Sequence, residues 1–179
     1  ATGIVSIALD LQGHQRPSEV LFALAGAAYL VLIVLSGWRA FAHRGSLLDD
    51  FRNTRRAFGF FTFVAGTNVL GTRAAVEGWY APTAVLLTVA GLVWLVFGYV
   101  IPWSAVLGRQ ERPVVAAANG TWFIWVVASQ SVAVAAAELE PVYSGGRQVL
   151  AIVAVLSWSV GVFLYAASAV FVSLRLMLY

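Results

Sequence analysis

Residues 119–131 read Asn119-Gly120-Thr121-Trp122-Phe123-Ile124-Trp125-Val126-Val127-Ala128-Ser129-Gln130-Ser131. They open a long apolar run and carry no charge. On a helix, Gly120, Ala128 and Ser131 make a thin, weakly polar face, and Trp122, Trp125 and Val126 make a thick apolar one. Such a helix can approach other helices closely, or border a narrow polar path, through its small side. The design recurs at Thr2-Gly3, Ala65-Gly66-Thr67 and Leu70-Gly71-Thr72. Gly3, Gly66 and Gly120 are about equally spaced, which predicts a repeated helical hairpin.

Of the 179 residues, 61% are hydrophobic and 11% are charged. Soluble domains are roughly 45–50% apolar and about 25% charged. One soluble core of this size has no room for so many apolar side chains. The composition therefore predicts an all-α integral membrane protein, with the lipid bilayer as its surroundings. The net charge of +3 comes from arginine alone, because lysine is absent. The arginines cluster at the ends of apolar segments rather than on one face, so nucleic acid is not an expected partner.

Cysteine is absent, which excludes disulfides, thiolate catalysis and cysteine metal sites. The lack of lysine excludes a retinal-type Schiff base. His14 and His43 flank the second apolar run and fall at opposite membrane faces, so they share no haem or metal. No metal and no cofactor are expected. Without a convergent Ser-His-Asp arrangement or a phosphate loop, no enzyme is expected either. Asn119-Gly120-Thr121 fits the glycosylation pattern, but its place in or near the membrane makes this a chance match.

A membrane-spanning helix needs about 20 mostly apolar residues. Five such runs and one shortened run are predicted, at 1–11, 19–41, 57–76, 83–107, 114–137 and 147–174. They form a single transmembrane domain over 1–179. The first run is too short to span and is already under way at Ala1, so it reads as truncated. Residues 42–56 are expected to form a basic loop, 108–113 an arginine-bearing turn, and 138–146 an acidic one. The even runs are greasy, whereas the odd runs are rich in Gly, Thr, Ser and Asn. This alternation predicts odd helices around a centre and even helices toward lipid. If the small residues serve only for packing, no central path follows.

Arg39, Arg44, Arg52, Arg55, Arg56, Arg109, Arg112 and Arg175 fall on one side. Arg16, Arg73 and Arg147 fall on the other. The positive-inside rule makes the first group cytoplasmic.

Ala1-Thr2-Gly3-Ile4-Val5-Ser6, Phe61-Thr62-Phe63-Val64-Ala65-Gly66-Thr67 and Asn119-Gly120-Thr121-Trp122-Phe123 resemble three signatures of one family. It is the tellurite-resistance/C4-dicarboxylate transporter family, which includes the slow-type anion channels of plant guard cells, the yeast malate permease and the sulfite pump. The resemblance implies five helical hairpins around a central pore, ten helices in all, with odd helices inside and even helices outside. It also implies a homo-oligomer, commonly a trimer. Only the first six of those helices are represented here. The family's gating phenylalanine lies on the ninth helix and is carried over to no residue.

A pore for anions should hold no fixed carboxylate at its centre. The central parts of the odd runs contain none. The candidate lining residues are Thr2, Gly3, Ser6, Thr62, Gly66, Thr67, Gly120, Thr121 and Ser131. For each of them, helix packing is the competing reading. Arg73 is a candidate for an outer vestibule, against the simpler reading that it pairs with Glu77 four residues on. Gly66 and Gly120 are expected to resist enlargement more than Gly91. The leading function is a channel or transporter of the inner membrane for small anions or C4-dicarboxylates such as malate. The alternative is a non-conducting membrane scaffold, or a truncated remnant of such a transporter.

Overall fold

The structure is a computed structural model that describes residues 1–107, 116 and 118–178. The chain is an all-α membrane protein. Four helices among the described residues are long and apolar enough to cross a membrane.

Helix α1 (Thr2–Leu11) and α2 (Gln15–Ala42) form a first hairpin. Two short helices, α3 (Arg44–Arg52) and α4 (Thr54–Ala57), follow it. A 3-10 turn at Phe58–Phe60 leads into α5 (Phe61–Val76), which pairs with α6 (Tyr80–Leu107). Helix α7 (Trp122–Leu139) pairs with α8 (Arg147–Leu178) through a turn containing a 3-10 segment at Ser144–Gly146. The stretch 42–56, expected as a loop, is therefore mostly helical. The expected 108–113 turn, with Arg109 and Arg112, lies outside the described residues, as do residues 114, 115 and 117 of the fifth run.

The first two hairpins turn in the same way. Gly13 and Gly78 each have φ of 81°, a left-handed conformation that glycine adopts without a Cβ penalty. Gly13 N–H donates to Asp10 O at 2.8 Å, and His14 N–H to Leu9 O at 2.9 Å. Gly78 N–H donates to Ala75 O at 2.8 Å, and Trp79 N–H to Ala74 O at 2.9 Å. Both are Schellman ends, which satisfy the last carbonyls of α1 and α5. Four residues on come Pro17 and Pro82, in the first turns of α2 and α6, where a missing N–H costs nothing. The next residues, Ser18 and Thr83, each donate a hydroxyl across the hairpin to a carbonyl twelve residues back. Ser18 bonds Ser6 O at 2.7 Å, and Thr83 bonds Gly71 O at 2.8 Å. Gly13/Gly78, Pro17/Pro82 and Ser18/Thr83 keep one common offset, so the unit Gly-x-x-x-Pro-Ser/Thr is an internal repeat.

The layers follow the expected alternation. Over the most apolar window of each helix, 56% of α7 is buried inside the chain, against none of α2 and 17% of α6 and of α8. Helix α5 contacts both α7 and α1, and its buried residues include Val64, Thr67, Asn68, Gly71 and Arg73. The outer helices turn Leu30, Val34, Leu92, Leu95, Val155 and Phe163 outward, as a lipid-facing coat requires. An aromatic cluster locks the inner helices at the end nearer the basic segment. Phe58 packs on Trp122 at 5.0 Å between centroids, Phe61 stacks on Trp125 at 5.6 Å, and Trp122 meets Phe171 of α8 at 5.6 Å.

Size limits fall at other glycines than expected. A Cβ on Gly66 meets only Tyr29 Cδ2 at 4.0 Å, and one on Gly120 meets nothing within 4 Å. The tight positions are Gly3, where a Cβ lies 2.7 Å from Val69 Cγ1, and Gly161, where it lies 2.9 Å from Gln130 Cδ. At Gly3 the neighbour is the stiff, β-branched Val69, whereas at Gly161 it is the movable amide end of Gln130. Gly3→Val should lower stability by about 1–3 kcal/mol through overpacking, and Gly161→Val by less, because Gln130 can swing aside. Gly26→Val, in open space on α2, should be nearly neutral. Unfolding of the detergent-solubilised variants checks this, and equal losses at all three would refute it.

Candidate functional site

A cleft of about 440 Å³ opens between α1, α2, α5 and α7. Thr2, Gly3, Thr62 and Gly66 line it, together with Ala25, Tyr29 and Leu32 of α2 and Ile124 and Val127 of α7. It begins where α1 begins and continues beside α2. A second cleft, of about 280 Å³, adjoins it through the shared residues Ile4, Val69 and Val127, and reaches Thr72, Gln130 and Ser131. Among the described residues, no charged side chain lines either cleft.

The polar groups here are hydroxyls and amides bonded mostly to their own helices. Thr62 donates to Gly59 O at 2.6 Å, and Ser131 donates to Ala128 O at 2.7 Å. Thr67 is fully buried and donates to Phe63 O at 2.7 Å. Its single hydrogen is thereby used, so Tyr29 must donate in the 2.6 Å contact between the two hydroxyls. That bond holds the Tyr29 ring against the cleft. Asn68 is buried and donates to Ser131 at 3.2 Å, which joins α5 to α7.

At the far end of α1 and α5 sits a buried guanidinium. Arg73 is 0% exposed. Ser6 donates to Ser18 O and Ser18 donates to Ser6 O, each at 2.7 Å, so both hydroxyl oxygens are left as acceptors. Arg73 fills both, with Nε 2.9 Å from Ser6 Oγ and Nη2 3.0 Å from Ser18 Oγ. Nη2 also pairs with Glu77 at 2.6 Å and Asp10 at 3.5 Å, and the guanidinium lies 5.2 Å from the Phe22 ring centre. One arginine thus ties α1, α2 and α5 together.

At the opposite end, Asp50 of α3 accepts from Arg39 of α2 and from Arg56 of α4, the latter at 3.0 Å. Arg56 first, and then Arg39, hold its carboxyl below the usual carboxylate range. Phe51 beside it stacks on Phe60 at 3.9 Å and fixes α3 to the start of α5. Arg175 reaches Ala118 O at 2.6 Å at this same end.

Of the residues singled out by sequence, Thr2, Gly3, Thr62 and Gly66 therefore share the first cleft, and Ser131 lines the second. Ser6 is instead a buried bond between α1 and α2. Thr67 acts behind Tyr29. Gly120 and Thr121 precede α7 rather than lying on it. The Asn119 side chain accepts from Thr121 N–H at 2.8 Å, an Asx turn that delays the helix to Trp122. Arg73 is fully buried and pairs with Glu77. Sequence reading missed Tyr29, because it lies on an even run. The spacing of Ala25, Ala28, Tyr29 and Leu32 along one helical face was the available signal.

Removing a buried charge strands its partners, and breaking such a pair costs about 3–5 kcal/mol. Arg73→Met should lower stability by that order, whereas Arg16→Met, exposed at the same end, should cost little. Denaturant unfolding in detergent measures both, and similar losses would refute the tie.

No curated protein and no solved structure matches the chain. The model of the voltage-dependent anion channel family matches residues 1–179. That match joins the two uncharged clefts, the charges held at the ends of the helices and the layered hairpins into one identification: the chain belongs to the voltage-dependent anion channel family.

Proposed function

We propose that the protein passes small anions or C4-dicarboxylates such as malate across the inner membrane, along the uncharged clefts between α1, α2, α5 and α7. Membership of an anion-channel family supports transport of anions in general. The observation that carries the finer reading is the placement of charge. Among the described residues, neither cleft is lined by a carboxylate, so none of them places a fixed negative charge that repels an anion there. Asp10, Glu77, Asp50 and Glu140 all lie toward helix ends, each paired with an arginine. The polar groups along the walls are neutral, and Thr62 and Ser131 give their hydrogens to their own helices, so an anion meets no strong donor there and leaves as readily as it enters. Gly3 and Gly66 keep the walls thin. Gly120 and Thr121 belong to the turn that aims α7, while Ser6, Thr67 and Arg73 fix the wall behind the path.

In proteoliposomes, the protein should carry an anion-dependent current or uptake with at least one of chloride, nitrate, sulfite, malate and succinate. Tyr29→Leu should alter the preference among them, because it removes a hydroxyl at the wall. Absence of flux with every anion would sink the reading.

The basic end is proposed to face the cytoplasm, by the arginine bias, with homo-oligomeric assembly as in the family resemblance. Ser46 and Ser144 are exposed at opposite ends, and native cysteine is absent. In intact cells, an impermeant thiol reagent should label Ser144→Cys and spare Ser46→Cys. The reverse pattern would overturn the orientation.

A further inference from the structure

The Asp50 carboxylate sits between two guanidiniums as a bound carboxylate anion would. It is only 13% exposed, while Arg39 and Arg56 remain 48% and 71% exposed on their far sides. The three residues line a cleft of about 290 Å³ with Ser36 and Thr62. Thr62 also lines the central cleft, so the two spaces meet at that residue. Along α2, Leu32 of the central cleft, then Ser36 and Arg39, follow one another on a single helical face.

We propose that Arg39 and Arg56 form a docking site for a small soluble carboxylate or oxyanion at the basic mouth, and that Asp50 occupies it as a tethered competitor. The site deepens the anion-transport reading and rests on it for its purpose. Exposed ion pairs contribute little to stability, so a soluble anion can displace Asp50. Displacement requires no movement of the short helix. Phe51, stacked on Phe60 and set edge-on to Phe97, holds α3 in place while the neighbouring Asp50 side chain rotates away. Guanidiniums favour planar carboxylates and oxyanions over spherical ions, because their paired N–H groups match two oxygens. The site should therefore prefer succinate or sulfite to chloride.

The test is a succinate titration of the whole protein, followed by calorimetry, in a maltoside detergent without phosphate headgroups. If Asp50 fills the site most of the time, removing it frees the site and tightens apparent affinity about 5–10-fold. Asp50→Asn should show that gain. Asp49→Asn, which removes an exposed neighbouring carboxylate of the same helix, should not. Arg39→Gln and Arg56→Gln should each weaken binding, and either one combined with Asp50→Asn should cancel the gain. A parallel arm uses nanodiscs with and without phosphatidylglycerol. Binding of that lipid with no response to succinate would assign the two arginines to a headgroup and overturn the proposal. Equal affinity in Asp50→Asn and the parent would overturn it too, as would an equal gain in Asp49→Asn. Binding as described but without flux would leave the site standing and sink the transport reading instead.

Discussion

A guanidinium with no exposed surface has to be satisfied from inside the chain, and Arg73 sets much of the architecture around it. Five N–H donors fan out from one plane; Nε and Nη2 find acceptors, whereas Nη1 is buried with no hydrogen-bond partner among the described residues. Ser6 and Ser18 supply two, because each spends its own hydrogen on the other's carbonyl. Asp10 and Glu77 supply the countercharge. These partners sit on α1, on α2 and at the end of α5. The first hairpin can therefore take only one height and one rotation against the second. Between apolar helices in lipid, side-chain packing alone slides easily, since lipid tails are as apolar as leucine. A buried charge with fixed partners does not slide, and so it sets the register.

The repeated turn explains why the partners arrive together. Ser18 stands five residues after Gly13, and Thr83 stands five residues after Gly78. In both hairpins the glycine ends one helix, the proline starts the next, and the hydroxyl bonds across to the first helix. In the second hairpin the carbonyl reached belongs to Gly71, which packs against Thr83 and Leu86 and offers no hydroxyl. In the first it belongs to Ser6, whose own hydroxyl answers Ser18 and so builds the acceptor pair for Arg73. The same backbone device thus gives a plain helix contact in one copy and a charge-binding pocket in the other. One side chain, Ser6 against Gly71, makes the difference.

The layers were legible in sequence because the bilayer imposes a strong compositional code. Helices against lipid must be greasy all round, while helices against helices can afford Gly, Ser and Thr, and the contrast between α2 and α5 shows it. The four cleft residues of α1 and α5 within the signatures, Thr2, Gly3, Thr62 and Gly66, were reached on that basis. What stayed hidden depends on direction rather than composition. Ser6 and Thr2 share one short helix, yet one bonds α2 and the other lines the cleft. Tyr29 belongs to an outer helix, and it enters the cleft through its bond to Thr67 of α5. The helical character of residues 44–57 was hidden by their arginines, which read as loop. Their fold rests on Phe51 reaching Phe60 and Phe97, a long-range contact that no local pattern displays.

On the proposed anion path, the hydroxyls set how tightly the clefts hold an anion. An anion needs hydrogen-bond donors, and a hydroxyl has one hydrogen to give. Thr62, Thr67 and Ser131 have already given theirs to carbonyls of their own helices. Tyr29 has given its own to Thr67. What these groups turn outward is chiefly oxygen, which is no trap for a negative charge. The arginines, which carry strong donors in number, are kept at the ends; in the proposed function they raise local anion concentration there without placing a binding site in the middle. A deep site would slow release, and a fixed carboxylate would block passage. Self-bonded hydroxyls between arginine-bearing ends avoid both, so the weak binding that the proposed transport calls for follows from satisfying polar groups inside a bilayer.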